Sequence, residues 1–429
     1  MQSTDSKKIQ KKGIINYMKQ NRTPNNSKRK KIIIFLIIIL AIFFWFFPKN
    51  ILRRESSASD NTLLKAQIEA QNKAIKNIID SRRLENSEEQ IIDPFGEDGV
   101  IRILFIGLDA RVGQNNGHCD AIQLISVDNN TGNIDITAVP RGTYSPLPPG
   151  KGTIPLDYYV SNACSLGGLE YGIEQIEKIL GVKADYLVVV GFSEALGILR
   201  YLHLPTTETL QWLRNRQAYA IGEPQRAHNH STFIKQMLVR FVPTENTKLD
   251  TVLEYIIYKL IKTDLSFTQS QKILNAIITM DIANHPEKIK LSIRPFYLVE
   301  DIQYDSEHID KYLDQALGPI KHLLSKDDYS EISKETLQAK LLQTIEKNKD
   351  NLEFISWSYQ NNLWLQIEDN EQSLAVQYNL LVNYLQLLSD KKECQSVLAD
   401  YIIEMENRGE PLWQEKGKKL LREEIGYEE

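Results

Sequence analysis

Acidic and basic side chains are concentrated in three short segments that could bind a phosphorylated ligand. They are Asp109 and Arg111 after one apolar run, His118 and Asp120 before the next, and Arg141 after the third. Arginine side chains bind phosphate oxygens through two parallel hydrogen bonds, and neighbouring carboxylates can share a Mg²⁺ ion with a phosphate group. These residue types therefore predict a phosphate-binding site. Solvated turn residues are the alternative interpretation.

A second charged cluster lies further along the chain. It comprises Trp212–Arg216 and Gly222–His230, and it is followed by a helical pattern through Phe233 and Met237. Its candidate ligand-binding residues are Arg216, Glu223 and Arg226. A further group of arginines beside an acid strengthens the prediction of a phosphate site.

Short apolar runs bounded by Gly, Asn, Asp and Pro are typical of strands. They cover residues 100–108, 122–127, 134–139, 186–190 and 289–299. Helical spacing covers 169–180 and ends at Gly181, a second helix covers 249–260, and Ser266 begins a third with a capping box. Alternating strands and helices predict a three-layer α/β/α domain. Its charged strand ends would converge on one crevice.

The residues after about 323 are predicted to be wholly helical. Apolar residues recur at helical spacing from Leu374 to Leu388 and from Val397 to Met405, before Gly409. This pattern predicts a C-terminal all-α module over 323–429. A tetratricopeptide-like array is the alternative, although no clear repeat of that period occurs. The aromatic residues of the module are interpreted as helix-packing core rather than as a sugar-stacking surface.

The N-terminal part combines a basic leader with an apolar run. Residues 1–31 contain ten Lys or Arg and one acid, and the apolar run extends from Ile32 to Phe47. The charge bias predicts a single transmembrane helix over 32–52 in the plasma membrane, with a cytoplasmic N-terminus and an extracytoplasmic main domain. A cleaved signal peptide is the alternative. Residues 53–96 are predicted to form a helical stalk or linker, and residues 97–322 the α/β domain.

Charge and cysteine usage exclude several classes of protein. The formal net charge of −5 combines +9 in the leader with −14 in the rest, which argues against binding to nucleic acid. Three cysteines can form at most one bridge, and no Cys/His spacing suggests zinc. A nucleophilic Cys119 beside His118 is discounted, because adjacent strand residues point to opposite faces and no orienting third group is evident.

The order of the charged and glycine-containing segments resembles that of the LytR-CpsA-Psr family, also known as the cell envelope-related transcriptional attenuator domain. The resemblance covers about residue 99 to about residue 322 and marks a divergent member. It rests on Gly107–Arg111, Pro140–Arg141, Ser161–Ala163, Gly168–Gly181, Trp212–Arg216, Gly222–His230 and Lys262–Ser266.

The resemblance implies a transferase at the outer face of the cytoplasmic membrane. Such proteins join a glycopolymer from a polyprenyl-pyrophosphate carrier, through a phosphodiester, to a hydroxyl of peptidoglycan or a similar envelope polymer. It implies that Asp109 and Asp120 hold a Mg²⁺ ion. It also implies a catalytic set of Asp109, Arg111, Asp120 and Arg141 and a substrate-binding set of His118, Arg216, Glu223 and Arg226.

Several positions depart from the family pattern. The family's Arg-Ser-Asp is His118–Asp120 here, its Pro-Arg-Asp is Pro140–Gly142, and its Arg-x-x-Arg-Gln is Arg226–His230. Histidine is a weaker permanent phosphate ligand than arginine. The segment between Phe192 and Trp212 is also shorter than usual, which predicts the loss of a strand pair near the lipid-binding tunnel. We expect a different substrate or reduced activity.

Three hypotheses of different class follow. The first is the glycopolymer transferase. The second is a catalytically weakened protein that binds polyprenyl phosphates without transfer and regulates or senses envelope assembly. The third is a scaffold, whose C-terminal helices recruit protein partners while the α/β domain serves as a platform.

Overall fold

The structure is a computed structural model that describes residues 93–109, 117–243, 248–323 and 333–426, together with residue 77. Residues 68–429 form one compact unit. The predicted leader, transmembrane helix and most of the stalk lie outside the described residues, as does Arg111. Within the described ranges, no helix is both long enough and apolar enough to cross a membrane.

The described residues contain one mixed six-stranded sheet in the order β5-β4-β1-β2-β3-β6. β1 pairs with β4 in parallel and β3 with β6 in parallel, whereas β1–β2, β2–β3 and β4–β5 are antiparallel. The strands are β1 (Val100–Asp109), β2 (His118–Asp128), β3 (Asn133–Ala138), β4 (Tyr186–Gly191), β5 (Lys262–Thr263) and β6 (Ile289–Ile293).

Helices cover both faces of this sheet and form the C-terminal part. They are α1 (Val160–Gly167), α2 (Leu169–Leu180), α3 (Phe192–Tyr201), α4 (Thr206–Arg214), α5 (Gly222–Phe241), α6 (Lys248–Lys259), α7 (Phe267–Thr279), α8 (Ile309–Leu317), α9 (Lys334–Lys347), α10 (Leu352–Gln360), α11 (Asn370–Leu385), α12 (Lys391–Arg408) and α13 (Pro411–Glu424).

The three-layer arrangement follows from alternation along the strands. Ile101 and its neighbours on one face pack with α5 and α7, whereas Leu104 and Ile106 on the other face pack with α1 and α2. Successive strand side chains point to opposite faces, so a strand with apolar residues at nearly every position requires cover on both sides. The predicted α/β class and layering are thereby confirmed.

Local signals in the sequence mark several element ends correctly. The Ser266 N–H donates to Gln269 Oε1 at 2.9 Å and the Gln269 N–H donates to Ser266 Oγ at 3.1 Å, which is the predicted capping box. Gly181 ends α2 in the left-handed region, with φ of 75°. The last strand is shorter than predicted, because β6 ends at Ile293 and Pro295 has no N–H for a further ladder bond.

The part that the structure describes after 333 is helical, as predicted. Its core contains Leu381, Ile402 and Met405 among its fully buried residues, and Trp413 packs on them. Four of the module's aromatic residues lie in this core or pack against it, namely Tyr359, Tyr378, Tyr401 and Trp413. A second cluster, around Trp364, includes Leu260 and Ile198 of the α/β part, so the two parts share buried surface.

A disulfide joins the sheet to a helix on one face. Cys119 of β2 is bonded to Cys164 of α1, and Cys394 is a buried free cysteine in α12. This is the single bridge that three cysteines allow. With its sulfur in the bridge, Cys119 is not a thiol nucleophile.

Candidate functional site

Strand ends bring most of the predicted residues to one edge of the sheet. The carboxyl ends of β1 and β3 lie beside the start of β2, because β2 runs antiparallel to both. A cavity of about 580 Å³ opens at this edge. Its lining includes the ionisable residues Asp109, His118, Asp120, Arg141, Arg216 and Glu223.

A break in strand pairing sets the position of Asp120. Gly107 pairs with Ala121 and Leu108 pairs with Cys119, so the ladder shifts register and Asp120 has no partner in it. A β-bulge of this kind redirects a side chain next to a site. Gly107 is required at this point, since a Cβ there would lie 2.9 Å from the Cβ of Ala121.

Glu223 is the centre of the charge network. Its Oε1 accepts from Arg216 Nη1 at 2.6 Å and from Arg141 Nε at 3.3 Å, and its Oε2 lies 2.7 Å from Arg226 Nη2. Arg141 also donates through Nη1 to Asp120 Oδ1 at 2.7 Å. Three arginines therefore face two carboxylates. Asp109 lines the same cavity, so the formal charges balance, and an anionic ligand would bind through the N–H groups of the arginines rather than through a net positive charge.

Burial and charge act in opposite directions on these groups. Burial raises the pKa of Glu223, but the nearby arginines, led by Arg226, outweigh it and the pKa is lowered overall. Burial lowers the pKa of Arg226 to about 10, although Glu223 opposes the shift. Burial also works against Arg141, yet the carboxylates of Asp120 and Glu223 raise its pKa overall. Glu223, Arg226 and Arg141 are thus ionised at neutral pH.

The carboxylates of Asp109 and Asp120 suit a magnesium ion only if phosphate oxygens complete its coordination shell. Asp109 and Asp120 both line the cavity, while the residues that the structure describes contain no group of three or more His, Cys, Asp or Glu placed to hold a metal. Mg²⁺ is commonly bound through one or two carboxylates plus substrate phosphates and water. The donor set therefore fits a metal that arrives with, or is completed by, a phosphorylated ligand.

Helix α5 connects the charged cavity to an apolar one. Glu223 and Arg226 lie in its first two turns, and His230, Phe233 and Met237 continue the same stripe at spacings of three and four. The stripe lines a second cavity, of about 1050 Å³. Other apolar lining comes from the sheet, α3 and further helices, and the charged lining residues include Asp109, Asp120 and Arg226.

Part of the chain is similar to a known protein family. The model of the LytR_cpsA_psr family matches residues 62–196. The match covers less than half of the chain, and it is a similarity of this region to that family. The resemblance predicted from the motifs is thereby confirmed, although the matched range begins and ends earlier than the motif range of about 99 to about 322.

Two relatives carry the same printed description, polyisoprenyl-teichoic acid–peptidoglycan teichoic acid transferase TagU. The protein from Bacillus subtilis is 30% identical over 101 residues, which is 24% of this chain and 29% of that protein. The protein from Oceanobacillus iheyensis is 23% identical over 235 residues, which is 47% of this chain and 72% of that protein. The chain thus spans less than a third of the length of the B. subtilis relative.

Solved structures also match at low identity. The crystal structure of B. subtilis TagV is 14% identical and has a TM-score of 0.39, over 52% of this chain and 98% of that one. A structure described as TagT bound to LIIa-WTA is 13% identical with a TM-score of 0.34, over 54% of this chain and 94% of that one.

The positions that depart from the family pattern have different surroundings. His118 and Gly142 line the charged cavity. A Cβ at Gly142 would lie 4.0 Å from Glu223 Cγ, so the site has room for a side chain there. Asn229 is fully buried, accepts from Gln225 Nε2 at 2.9 Å and donates to Tyr219 Oη at 3.0 Å. It therefore serves the packing of α5.

His230 lines the apolar cavity with a half-buried, neutral side chain. Burial lowers its pKa to about 4, and the charge of Arg226 acts in the same direction. Its Nε2 lies 2.7 Å from the Leu213 carbonyl oxygen, which makes Nε2 the donor. Its Nδ1 is then an acceptor, and it is buried without a hydrogen-bond partner.

Some lining residues have no signal in the sequence. Tyr297 lines the charged cavity from the loop after β6, a segment predicted to be strand. Glu194 lines the apolar cavity as a buried acid on α3. Neither belongs to a charged motif or a periodic pattern, so only the tertiary structure places them.

Proposed function

We propose that this chain is a membrane-anchored, extracytoplasmic phosphotransferase that joins a glycopolymer from a polyprenyl-pyrophosphate carrier to peptidoglycan. The observation that supports it best is Arg226, which lines the apolar cavity and pairs with the carboxylate that organises the charged one. A polyprenyl diphosphate combines an apolar tail with an anionic head group. The relatives' printed description names the same substrate class.

The proposed reaction exchanges one phosphorus–oxygen bond for another. A hydroxyl oxygen of the acceptor attacks the phosphorus attached to the glycan and loses its proton. The bond from that phosphorus to the bridging oxygen of the diphosphate breaks, and polyprenyl phosphate leaves. The glycan and the acceptor are then joined by a phosphodiester, and no external energy source is needed.

The residues of the charged cavity would act through position and charge. Arg141, Arg216 and Arg226 would bind the diphosphate oxygens and stabilise the charge that develops on them in the transition state. Asp109 and Asp120 would hold Mg²⁺, which when bound would neutralise further phosphate charge. The membrane anchor predicted from residues 32–52 would keep the site near a lipid-borne substrate and raise its effective concentration.

Removal of the Arg226 guanidinium tests this proposal. Full-length protein in nanodiscs is incubated with Mg²⁺, a polyprenyl-diphosphate-linked oligosaccharide and peptidoglycan fragments. Binding of the lipid and release of polyprenyl phosphate are both measured. Arg226→Ala should weaken binding by about 1.5 to 3 kcal/mol, the scale of a hydrogen bond to a charged group. Arg102→Ala is the matched control, because Arg102 lies near the start of β1, at the opposite end of the strand from the site. Equal binding by both variants would contradict the proposed site.

The same assay separates this function from the catalytically weakened alternative. That alternative is favoured by Gly142, which provides no carboxylate, and by Asn229, whose side chain is bonded within the protein. Binding of the lipid without release of polyprenyl phosphate would support it. Neither binding nor release would favour the scaffold hypothesis.

A further inference from the structure

The apolar cavity is not built by the α/β domain alone. Its lining includes Leu341 and Thr344 of α9, Phe354 and Trp357 of α10, and Leu363 from the turn after α10. These residues lie in the C-terminal module, outside the matched family range of 62–196. The module therefore contributes part of the lining of a cavity that Arg226 also lines.

Buried polar contacts hold this wall against α3. Asn362 Nδ2 donates to Glu194 Oε1 at 2.7 Å, and Gln366 Nε2 donates to Ser193 Oγ at 3.0 Å. Glu194 and Ser193 are each 3% exposed, and both line the cavity. A buried polar group without a hydrogen-bond partner destabilises the fold. These two hydrogen bonds therefore fix the position of the module against α3.

Helix α9 is attached to this wall along one side. Gln338 Nε2 donates to the Gln366 carbonyl at 3.0 Å and its Oε1 accepts from the Glu368 N–H at 3.1 Å. None of the residues of α9 is fully buried. Leu341 lines the cavity, whereas Leu337, one turn earlier, is 41% exposed. The half-buried Leu341 is thus the leucine of α9 that faces the cavity, whereas Leu337 faces outward.

We infer that the C-terminal module is part of the binding site for the lipid tail, with Leu341 and Trp357 selecting for a long polyprenyl chain. This inference rests on the proposed function for the identity of the lipid. The occupant is one apolar chain with an anionic head, because the module contributes four large apolar side chains to the lining and Arg226 lines the same cavity. The four are Leu341, Phe354, Trp357 and Leu363. A site closed by the module holds a tail that the α/β domain alone would leave in water.

Replacement of Leu341 by a larger residue tests the inference. Binding of a long-chain polyprenyl phosphate and of geranyl diphosphate is measured with full-length protein in detergent micelles. Leu341→Trp should lower the affinity for the long-chain lipid at least about tenfold, because overpacking a filled cavity costs binding free energy on this scale. The affinity for geranyl diphosphate, which would be bound mainly by the arginines, should change by less than about twofold. Leu337→Trp is the matched control and should change neither affinity.

Equal weakening of both ligands by Leu341→Trp, or the same effect from Leu337→Trp, would overturn the inference. So would a parent protein that binds the long-chain lipid no more tightly than geranyl diphosphate. Failure of the proposed function would be a different result: the protein would bind the lipid but would not transfer the glycopolymer. The affinities of the parent protein and the two variants could still be compared in that case.

A photo-crosslink provides a readout that does not depend on any variant. A polyprenyl phosphate with a diazirine at the end of its tail is bound to the parent protein, irradiated and digested. Mass spectrometry should find the label on peptides that contain α9 or α10. Labelling confined to the α/β domain would overturn the inference.

Discussion

One carboxylate, Glu223, organises the arginines that the sequence singled out as separate phosphate ligands. Arg141, Arg216 and Arg226 all contact it. A diphosphate that enters the cavity must therefore compete with Glu223 for the same guanidinium groups. Because the charges are already paired, the arginines are held in place before a ligand binds, which lowers the cost of ordering them.

The first residue-scale prediction concerns His118, which lines the charged cavity where the family pattern has arginine. His118→Arg should strengthen binding of a polyprenyl diphosphate by about fivefold at pH 7.5, because a hydrogen bond from a permanent cation is worth about 1 kcal/mol more than a neutral one. Titration calorimetry measures the change. His322→Arg, at an exposed position, is the control. An unchanged affinity would mean that His118 is a solvated turn residue.

His230 gives a prediction about pH. Its pKa is lowered to about 4 in the fold, whereas a histidine in the unfolded chain titrates near about 6.5. As the pH falls below about 6.5, the unfolded chain takes up the proton first, so stability is lost progressively until the pH reaches about 4. The loss between pH 7.5 and 5 should be about 2 kcal/mol.

His230→Gln should remove most of that loss, because glutamine does not titrate. Urea unfolding at the two pH values measures it, with His322→Gln as the control for an exposed histidine. If the parent and the His230→Gln variant lose the same free energy of unfolding on acidification, the ring is not buried in its neutral form.

At the scale of elements, α5 contributes the greatest share of the site. Its first turns carry Glu223 and Arg226, and its later turns carry the apolar residues of the same stripe. One helix therefore carries lining residues of both the charged cavity and the apolar cavity. The bulge at Asp120 and the loops after β3 and α4 complete the charged end.

The disulfide between β2 and α1 supports the same edge of the sheet. Cys119 lies between His118 and Asp120, and it is joined to Cys164 across 45 residues. Replacement of both cysteines by Ala should lower the free energy of unfolding by about 2 to 4 kcal/mol, since the bridge restricts the unfolded chain. Urea unfolding measures the change.

Cys394→Ala is the matched control for the disulfide variant, because Cys394 is buried and unbridged. Its effect should not depend on reductant, whereas the parent protein should lose stability when reductant is added. A parent protein insensitive to reductant would show that the bridge is absent. Such a bridge persists in oxidising compartments outside the cytoplasm.

At the scale of the whole molecule, the charge bias around Ile32 to Phe47 predicts where the site is located in the cell. Ten Lys or Arg precede this run, and a cytoplasmic N-terminus is the expected outcome. Protease added to intact spheroplasts should degrade the region after Asn50, while a cytoplasmic marker protein stays intact. If that region is protected from the protease, the predicted topology is wrong, and the proposed function in the cell envelope is wrong as well.

The union of the α/β domain and the C-terminal module is also a property of the whole molecule. Sequence periodicity predicted the module as a separate helical unit over 323–429. The structure places Leu363 and Gln366 at the apolar cavity and bonds Gln366 to Ser193. Periodicity reports which face of a helix is apolar, but it does not report what that face contacts.

The sequence by itself determined the local features of this protein. Strand and helix positions, the capping box at Ser266 and the family region follow from apolar spacing, turn residues and motif order, which are local properties. It also indicated which strand ends carry acids and arginines. That Asp109, Asp120 and Arg141 share one cavity followed from the general rule for such sheets.

Only the tertiary structure decided the contacts between distant segments. The pairing of Arg141 with Glu223 joins residues 82 positions apart, and the pairing of Ser193 with Gln366 joins residues 173 positions apart. The register shift at Asp120, the Cys119–Cys164 bridge and the module's wall of the apolar cavity are of the same kind. Such contacts depend on how whole elements pack, and a side chain's own neighbours in sequence carry no information about its partner across the fold.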